Sequence, residues 1–186
     1  MFDLFKSRAE GVSAEVHRCA TAAEALDFVV ERLGQEGVAD EPARRAVWCE
    51  GPILRGLVDR AALAAQRPGL TFQVTRASAA ASKVGVSEFD WALADTGTLA
   101  QDATDPARRL ASSLPETHVA LVRTGRILPD FAALLGQVST DRMRYVACVT
   151  GPSRTADIER VLTIGVHGPK RLVIVAVDEA EAEGAR

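Results

Sequence analysis

Three short apolar runs, His118 to Val122, Tyr145 to Val149 and Leu172 to Val177, do most to limit what this chain can fold into. Runs of this length between polar or turn-forming residues read as strands covered on both faces, as in a parallel sheet. Helical patterns separate the apolar runs. Thr21-Ala-Ala-Glu24 is a capping-box pattern, and Ala25, Leu26, Val29, Val30 and Leu33 follow at helical spacing, which predicts a helix over about 22–33 that stops at Gly34. Ala46 to Cys49 reads as a buried strand closed by Gly51-Pro52 and leading into a helix that carries Ile53, Leu54, Leu57, Val58 and Ala61. Leu70, Phe72 and Val74 alternate with polar residues as in a strand. Trp91 to Ala94 and Thr98 to Ala100 flank Asp95-Thr96-Gly97 as two strands around a tight turn. Further helices are expected to open at Pro129 and near Ser153 or Thr155. The alternation predicts an α/β fold, a three-layer arrangement about a mostly parallel sheet, with ligands beyond the carboxyl ends of its strands.

At 186 residues, 47% hydrophobic and 25% charged, the chain is long enough for one sizeable core and reads as a single domain over 1–186. Residues 1–20 are expected to form an N-terminal arm with a short amphipathic helix, and 179–186 a flexible tail. A net charge of -3, with both signs scattered along the chain, gives no basic field for nucleic acid. The longest apolar run is far shorter than the roughly 20 residues of a membrane span. The N-terminus has no continuous apolar core of the kind a secretory signal needs, so a cytoplasmic location is expected. Cys19, Cys49 and Cys148 are isolated and odd in number, and they read as buried free thiols. Three cysteines fall short of the four thiolates an iron–sulfur cluster normally takes.

Four segments could carry chemistry. In ALADTGTLAQD, Asp95 ends an apolar strand, and Thr96, Gly97 and Thr98 suit a small oxyanion as well as they suit an ordinary hairpin turn. In VTGPSRTADIE, Ser153, Thr155 and Asp157 open a helix whose free N–H groups could hold an anion, with Arg154 adding a planar fork; a plain capped helix has the same composition. In GVHGPKRL, His167 stands between two glycines, either as a pocket-facing acid/base or as the cap of a terminating helix. In SLPETHVALVRTGRILPD, Arg123 and Arg126 flank a strand end, where arginines neutralise anions or lie in solvent. His118 reads as satisfied within the fold, and His17 is the weakest candidate. No dinucleotide fingerprint, P-loop, nucleophile elbow or paired metal-ligand histidines appear.

Taken in order, ADTGTL, SLPETHVALV with RILP, and TGPSRTADIERVLTIGVHGPKRL resemble the lactate-utilization protein C family, or LUD domain, over about residues 84–178. The resemblance implies a fold akin to the NagB/RpiA/CoA-transferase group and 5-formyltetrahydrofolate cyclo-ligase. It also implies service beside two iron–sulfur partner proteins that oxidise L-lactate to pyruvate, with no cofactor or metal in this chain. Asp95 departs from the Glu often found in the family, and its shorter reach argues against a covalent, CoA-transferase-like role. The expected site, built from Asp95 to Thr98, Ser153 to Thr155 and His167 with Arg126 nearby, would bind a small carboxylate or phosphorylated ligand, Asp95 and His167 being the catalytic candidates. A free-standing transferase- or ligase-like enzyme of the same fold and a regulatory ligand-binding module are the alternatives. Each is compatible with a homo-oligomer.

Overall fold

The computed structural model describes residues 1–155 and 163–178. Along the chain run α1 (Phe2–Gly11), β1 (Glu15–Cys19), α2 (Ala22–Gln35), β2 (Arg45–Trp48), α3 (Arg60–Gln66), β3 (Leu70–Thr71), α4 (Arg76–Ala80) and β4 (Ser82–Glu88). They are followed by β5 (Trp91–Leu93), β6 (Thr98–Asp102), α5 (Pro106–Ser113), β7 (Thr117–Arg123), β8 (Ile127–Leu128), α6 (Phe131–Leu135), β9 (Val146–Val149), β10 (Arg154–Thr155), β11 (Thr163–Ile164) and β12 (Arg171–Val177).

Six strands form one sheet in the order β1-β12-β7-β4-β2-β3, and every pairing in it is parallel. Its central strands match the apolar runs, since Val119 to Val122 and Val173 to Val177 are fully buried. One face is covered by α2, whose Ala25, Val29 and Leu33 pack against Val119, Leu121, Val173 and Val175. The helix begins where expected because the Thr21 side chain accepts from Glu24 N–H while the Glu24 carboxylate accepts from Ala20 N–H. It runs past Gly34 to Gln35, and Gly37 at φ 68 takes the left-handed conformation beyond its end.

The other face is covered by a mixed layer. A second sheet, β8-β5-β6-β9, joins α1 there, and Phe5, Ala9, Ala92 and Leu99 meet Ala120, Val122 and Ile174. The molecule is therefore a three-layer α/β fold, and the 91–102 segment is the expected strand, turn and antiparallel strand.

Four local expectations are corrected. Residues 53–58 form turns rather than a helix, because Ile53 and Leu54 donate their N–H groups to the Glu88 carboxylate and Gly56 takes φ 84. The strand expected over 70–74 ends at Thr71, and Thr75 caps α4. The run at Tyr145 to Val149 belongs to an antiparallel edge strand of the second sheet, so Cys148 is exposed rather than buried. Arg154 and Thr155 pair as a strand with Thr163 and Ile164, so no helix runs through Ser153 to Thr155; the residues a helix opening at Thr155 would occupy, Asp157 among them, lie outside the described residues.

Candidate functional site

Antiparallel pairing of β6 with β9 sets Leu99 opposite Val149, so Thr98 and Thr150, some fifty positions apart in sequence, come side by side. Their hydroxyls are 2.8 Å apart. Thr98 is also 2.8 Å from the Thr96 hydroxyl, which donates to the Asp95 carboxylate at 3.2 Å. Asp95 and Thr96 are exposed and Thr98 is buried, so the chain of contacts leads from the surface turn through to Thr150.

Two glycines hold this region against α1. Gly97 lies at φ 68, and a Cβ on it would sit 2.3 Å from the backbone nitrogen of Ala9. Gly151 lies at φ 71, and its Cβ would sit 2.5 Å from the Val12 carbonyl. Only a residue without a Cβ fits either place.

Ser153 stitches the next loop in. Its N–H donates to the Pro169 carbonyl at 2.8 Å, its carbonyl accepts from Gly165 N–H at 2.9 Å, and its hydroxyl accepts from His167 N–H at 3.2 Å. The expected Ser153–His167 neighbourhood therefore exists. Arg154, however, donates from Nη2 to the Val12 carbonyl at 2.7 Å and to the Ser13 hydroxyl, tying the loop to the end of α1. Thr155 is buried in β10.

The segments 150–154 and 167–169 wall a groove of about 440 Å³, and Asp95 to Thr98 and Thr155 are not in its lining. Arg109, Arg154 and His167 line it with the hydroxyl residues Ser113, Thr150 and Ser153, and Val149, Pro152 and Tyr145 supply apolar surface. Among the described residues, no carboxylate lines it. The Arg109 guanidinium lies 4.6 Å over the Tyr145 ring and donates from Nη1 to the Ala103 carbonyl. Because Ser113 ends α5 ahead of β7, and Gly168 and Pro169 lead into β12, the groove lies at the amino ends of those strands. It thus lies at the other end of the sheet from the carboxyl ends, where ligands were expected.

Arg126 is elsewhere. With Arg123 it lines a second groove, of about 400 Å³, at the carboxyl ends of β4 and β7. Asp90 and Asp102 line it too, and Arg108 is consumed there by the Asp90 carboxylate at 2.9 Å and the carbonyls of Asp102 and Glu88. Beside that groove Glu88 is buried; burial pushes its carboxyl pKa up, against two backbone N–H bonds and the charges of Arg123 and Arg108 that pull it down. Three arginines and two aspartates thus share the lining of this groove.

His118 is fully buried, with Nε2 2.9 Å from the Ser87 hydroxyl, and His17 sits half-buried against the Phe28 ring and lines neither groove. Among the described residues no three or more His, Cys, Asp or Glu side chains gather as a metal site, and no helix is long and apolar enough to cross a membrane.

A family model described as the LUD domain matches residues 2–177. The chain belongs to the LUD-domain family. It is 36% identical over 104 residues to Lactate utilization protein C of Macrococcus caseolyticus, a stretch covering 53% of this chain and 45% of that protein. It is 34% identical over 101 residues to Lactate utilization protein C of Oceanobacillus iheyensis, covering 51% and 43%. The matched stretch is thus under half the length of either relative. A crystal structure of a DUF162 family protein from Deinococcus radiodurans shares the fold, with a TM-score of 0.64, 20% identity and 95% of each chain covered.

In this LUD domain, Arg109, Tyr145 and Thr150 are groove residues that sequence reading passed over. Arg109 sits in an ordinary helix, PARRLASS, and Thr150 differs in no local way from the threonines around it. Only the pairing of β6 with β9 gives Thr150 away.

Proposed function

We propose that this LUD domain serves lactate utilization as a subunit that binds a small carboxylate in the groove at the amino ends of β7 and β12, beside iron–sulfur proteins that carry the electrons. The supporting observation is the groove's charge. In a chain of net charge -3, the described residues that line it include two arginines, a histidine and several hydroxyls, with no acid among them. Such a surface favours an anion, and about 440 Å³ falls in the size range of small-ligand sites. The relatives' printed name supports lactate metabolism as the setting. The dispersal of Cys19, Cys49 and Cys148 over β1, the end of β2 and β9 supports assigning iron–sulfur clusters to partners.

In this reading Arg109 carries the charge and His167 offers its ring nitrogens. Ser153 adds a donor, and Asp95, Thr96 and Thr98 act from behind through Thr150. Calorimetric titration of the purified chain with L-lactate and pyruvate, with inorganic phosphate as the comparison anion, tests it. A carboxylate should bind, and Arg109→Ala should weaken binding about tenfold to hundredfold, as loss of a charge-assisted contact does. Absence of heat with all three anions, or unchanged affinity in Arg109→Ala, would reject the groove as the site.

A further inference from the structure

We infer that the open edge of β9 is a docking site for an extended, acidic segment of a partner protein, which lies along it as an added strand. The inference goes beyond the carboxylate reading: it concerns the strand that borders the groove, and either can stand without the other.

The two larger sheets end in four edges, and three of them are guarded. β3 and β8 are two residues long, and β1 carries Glu15, His17 and Arg18 within its five residues. Short length and charge are the usual protections of a free edge. β9 has neither a charge nor a proline nor a bulge in its run Val-Ala-Cys-Val over 146–149.

Its hydrogen-bonding groups are directed by its neighbour. Asp90 N–H donates to the Ala100 carbonyl, so Ala100 turns its backbone toward β5, and Ala103 N–H donates to the Tyr145 carbonyl. Facing residues of an antiparallel pair alternate between bonded and unbonded. Tyr145, Ala147 and Val149 therefore bond to β6, while Val146 and Cys148 point their N–H and C=O groups away from it. Among the described residues no backbone group takes them up.

Consecutive residues from Ala147 to Thr150 all line the groove, although side chains in a strand alternate between faces. The groove therefore follows the edge of the strand rather than one face. Across it stand Ser112 and Ser113 at the end of α5 and the turn at Gly168 and Pro169. That far wall keeps the edge of a second folded copy from β9 and leaves room for a lone extended segment. At roughly 3.4 Å per residue, about four residues cover the strand. Arg109 and Arg154 line the groove and bond to carbonyls and a hydroxyl rather than to an acid. The complementary segment is acidic, with apolar side chains for Val149, Pro152 and Tyr145.

The probe is the blocked peptide acetyl-Val-Glu-Val-Glu-Val-amide, titrated into the full chain and followed by amide NMR. It should bind and slow exchange of the Val146 and Cys148 amides several-fold, while Ala147 and Val149, already bonded to β6, keep their rates. Cys148→Pro removes one outward N–H and no bond to β6, so affinity should fall roughly threefold to tenfold, the scale of one neutral hydrogen bond. Cys148→Ser keeps that N–H and should keep the affinity; thermal melts of both variants separate this from misfolding. No binding of the acidic peptide would overturn the inference. Equal binding of the lysine counterpart would overturn the acidic partner, and binding that leaves the Val146 and Cys148 amides exchanging freely would overturn the edge as its site. A dimer of the natural sequence with those two amides protected would overturn it as well, since a second copy would then hold the edge. Titration of the same sample with L-lactate and pyruvate keeps the two readings apart. Binding of a small acid without the peptide removes this inference alone, and the reverse removes only the carboxylate reading.

Discussion

His118 shows how a single residue couples the core to pH. Its ring is fully buried beside Phe89 and Ser87, and burial lowers its pKa from 6.5 to about 3. Below pH 6.5 the unfolded chain gains a proton that the folded chain refuses, so stability falls as pH drops from 6.5 toward 3. The slope is about 1.4 kcal/mol per pH unit, or about 2 kcal/mol lost by pH 5. Urea midpoints of the natural sequence and His118→Gln, measured at pH 7.5 and pH 5, should converge at the lower pH; an unchanged gap would contradict this. Gly97 makes a second residue-scale prediction. Gly97→Ala forces a left-handed backbone at a cost of about 1–2 kcal/mol and drives a methyl into the backbone of Ala9, so the total loss should exceed that figure in denaturant titration. Arg154 has the same lesson in reverse. Its planar fork suggested an anion, and the structure places Nη2 on the Val12 carbonyl because α1 brings an unpaired carbonyl within reach.

Among the elements, α1 matters most to the site. The sequence suggests a short amphipathic helix in this arm, and the structure uses it to back the turns at Gly97 and Gly151. Phe5 and Ala9 are its buried residues. Phe5→Ala should cost about 3–5 kcal/mol by the usual penalty for an emptied aromatic site. Because the end of the helix braces the Gly151 turn of the groove, carboxylate affinity should fall along with protection of the α1 amides from hydrogen exchange. Normal affinity with an exchanging α1 would show that the groove holds its shape alone. The apolar run at 145–149 carries the opposite message. A continuous apolar stretch does not say which sheet a strand joins, and here it lies at the edge of the smaller one, half-covered, with Cys148 outside.

On the scale of the whole molecule, charge is segregated. Among the described residues, the groove at the amino ends of β7 and β12 is lined by no carboxylate, whereas the groove at the carboxyl ends of β4 and β7 mixes arginines with Asp90 and Asp102. On the opposite face of β12, Arg171 bonds Glu15 and Glu36, each at 2.7 Å, and Lys83 also pairs with Glu36, so charges near the strand starts are consumed in ion pairs. Binding that depends on an open positive groove should weaken with ionic strength, because the screening length shrinks from about 30 Å at 0.01 M to about 10 Å at 0.1 M salt. L-lactate titrations across that range should show a several-fold loss of affinity, with little change in the melting temperature. Salt-independent binding would point to an uncharged ligand contact.

The amino-acid sequence by itself determined the alternation of helices and apolar strands, the cap that starts α2, the turn at Asp95 to Gly97, and the hydroxyl, arginine and histidine content of the loops. Each of these is set by neighbours within a few positions, through backbone period, capping or turn geometry. The tertiary structure alone decided which edge of the sheet carries the groove, that Arg126 lies apart from it, that Arg154 turns to α1, and that Arg109 and Thr150 belong to it. Those outcomes depend on pairings such as Leu99 with Val149, and strand pairing over fifty residues is settled by how two sheets share one core, which no local pattern encodes.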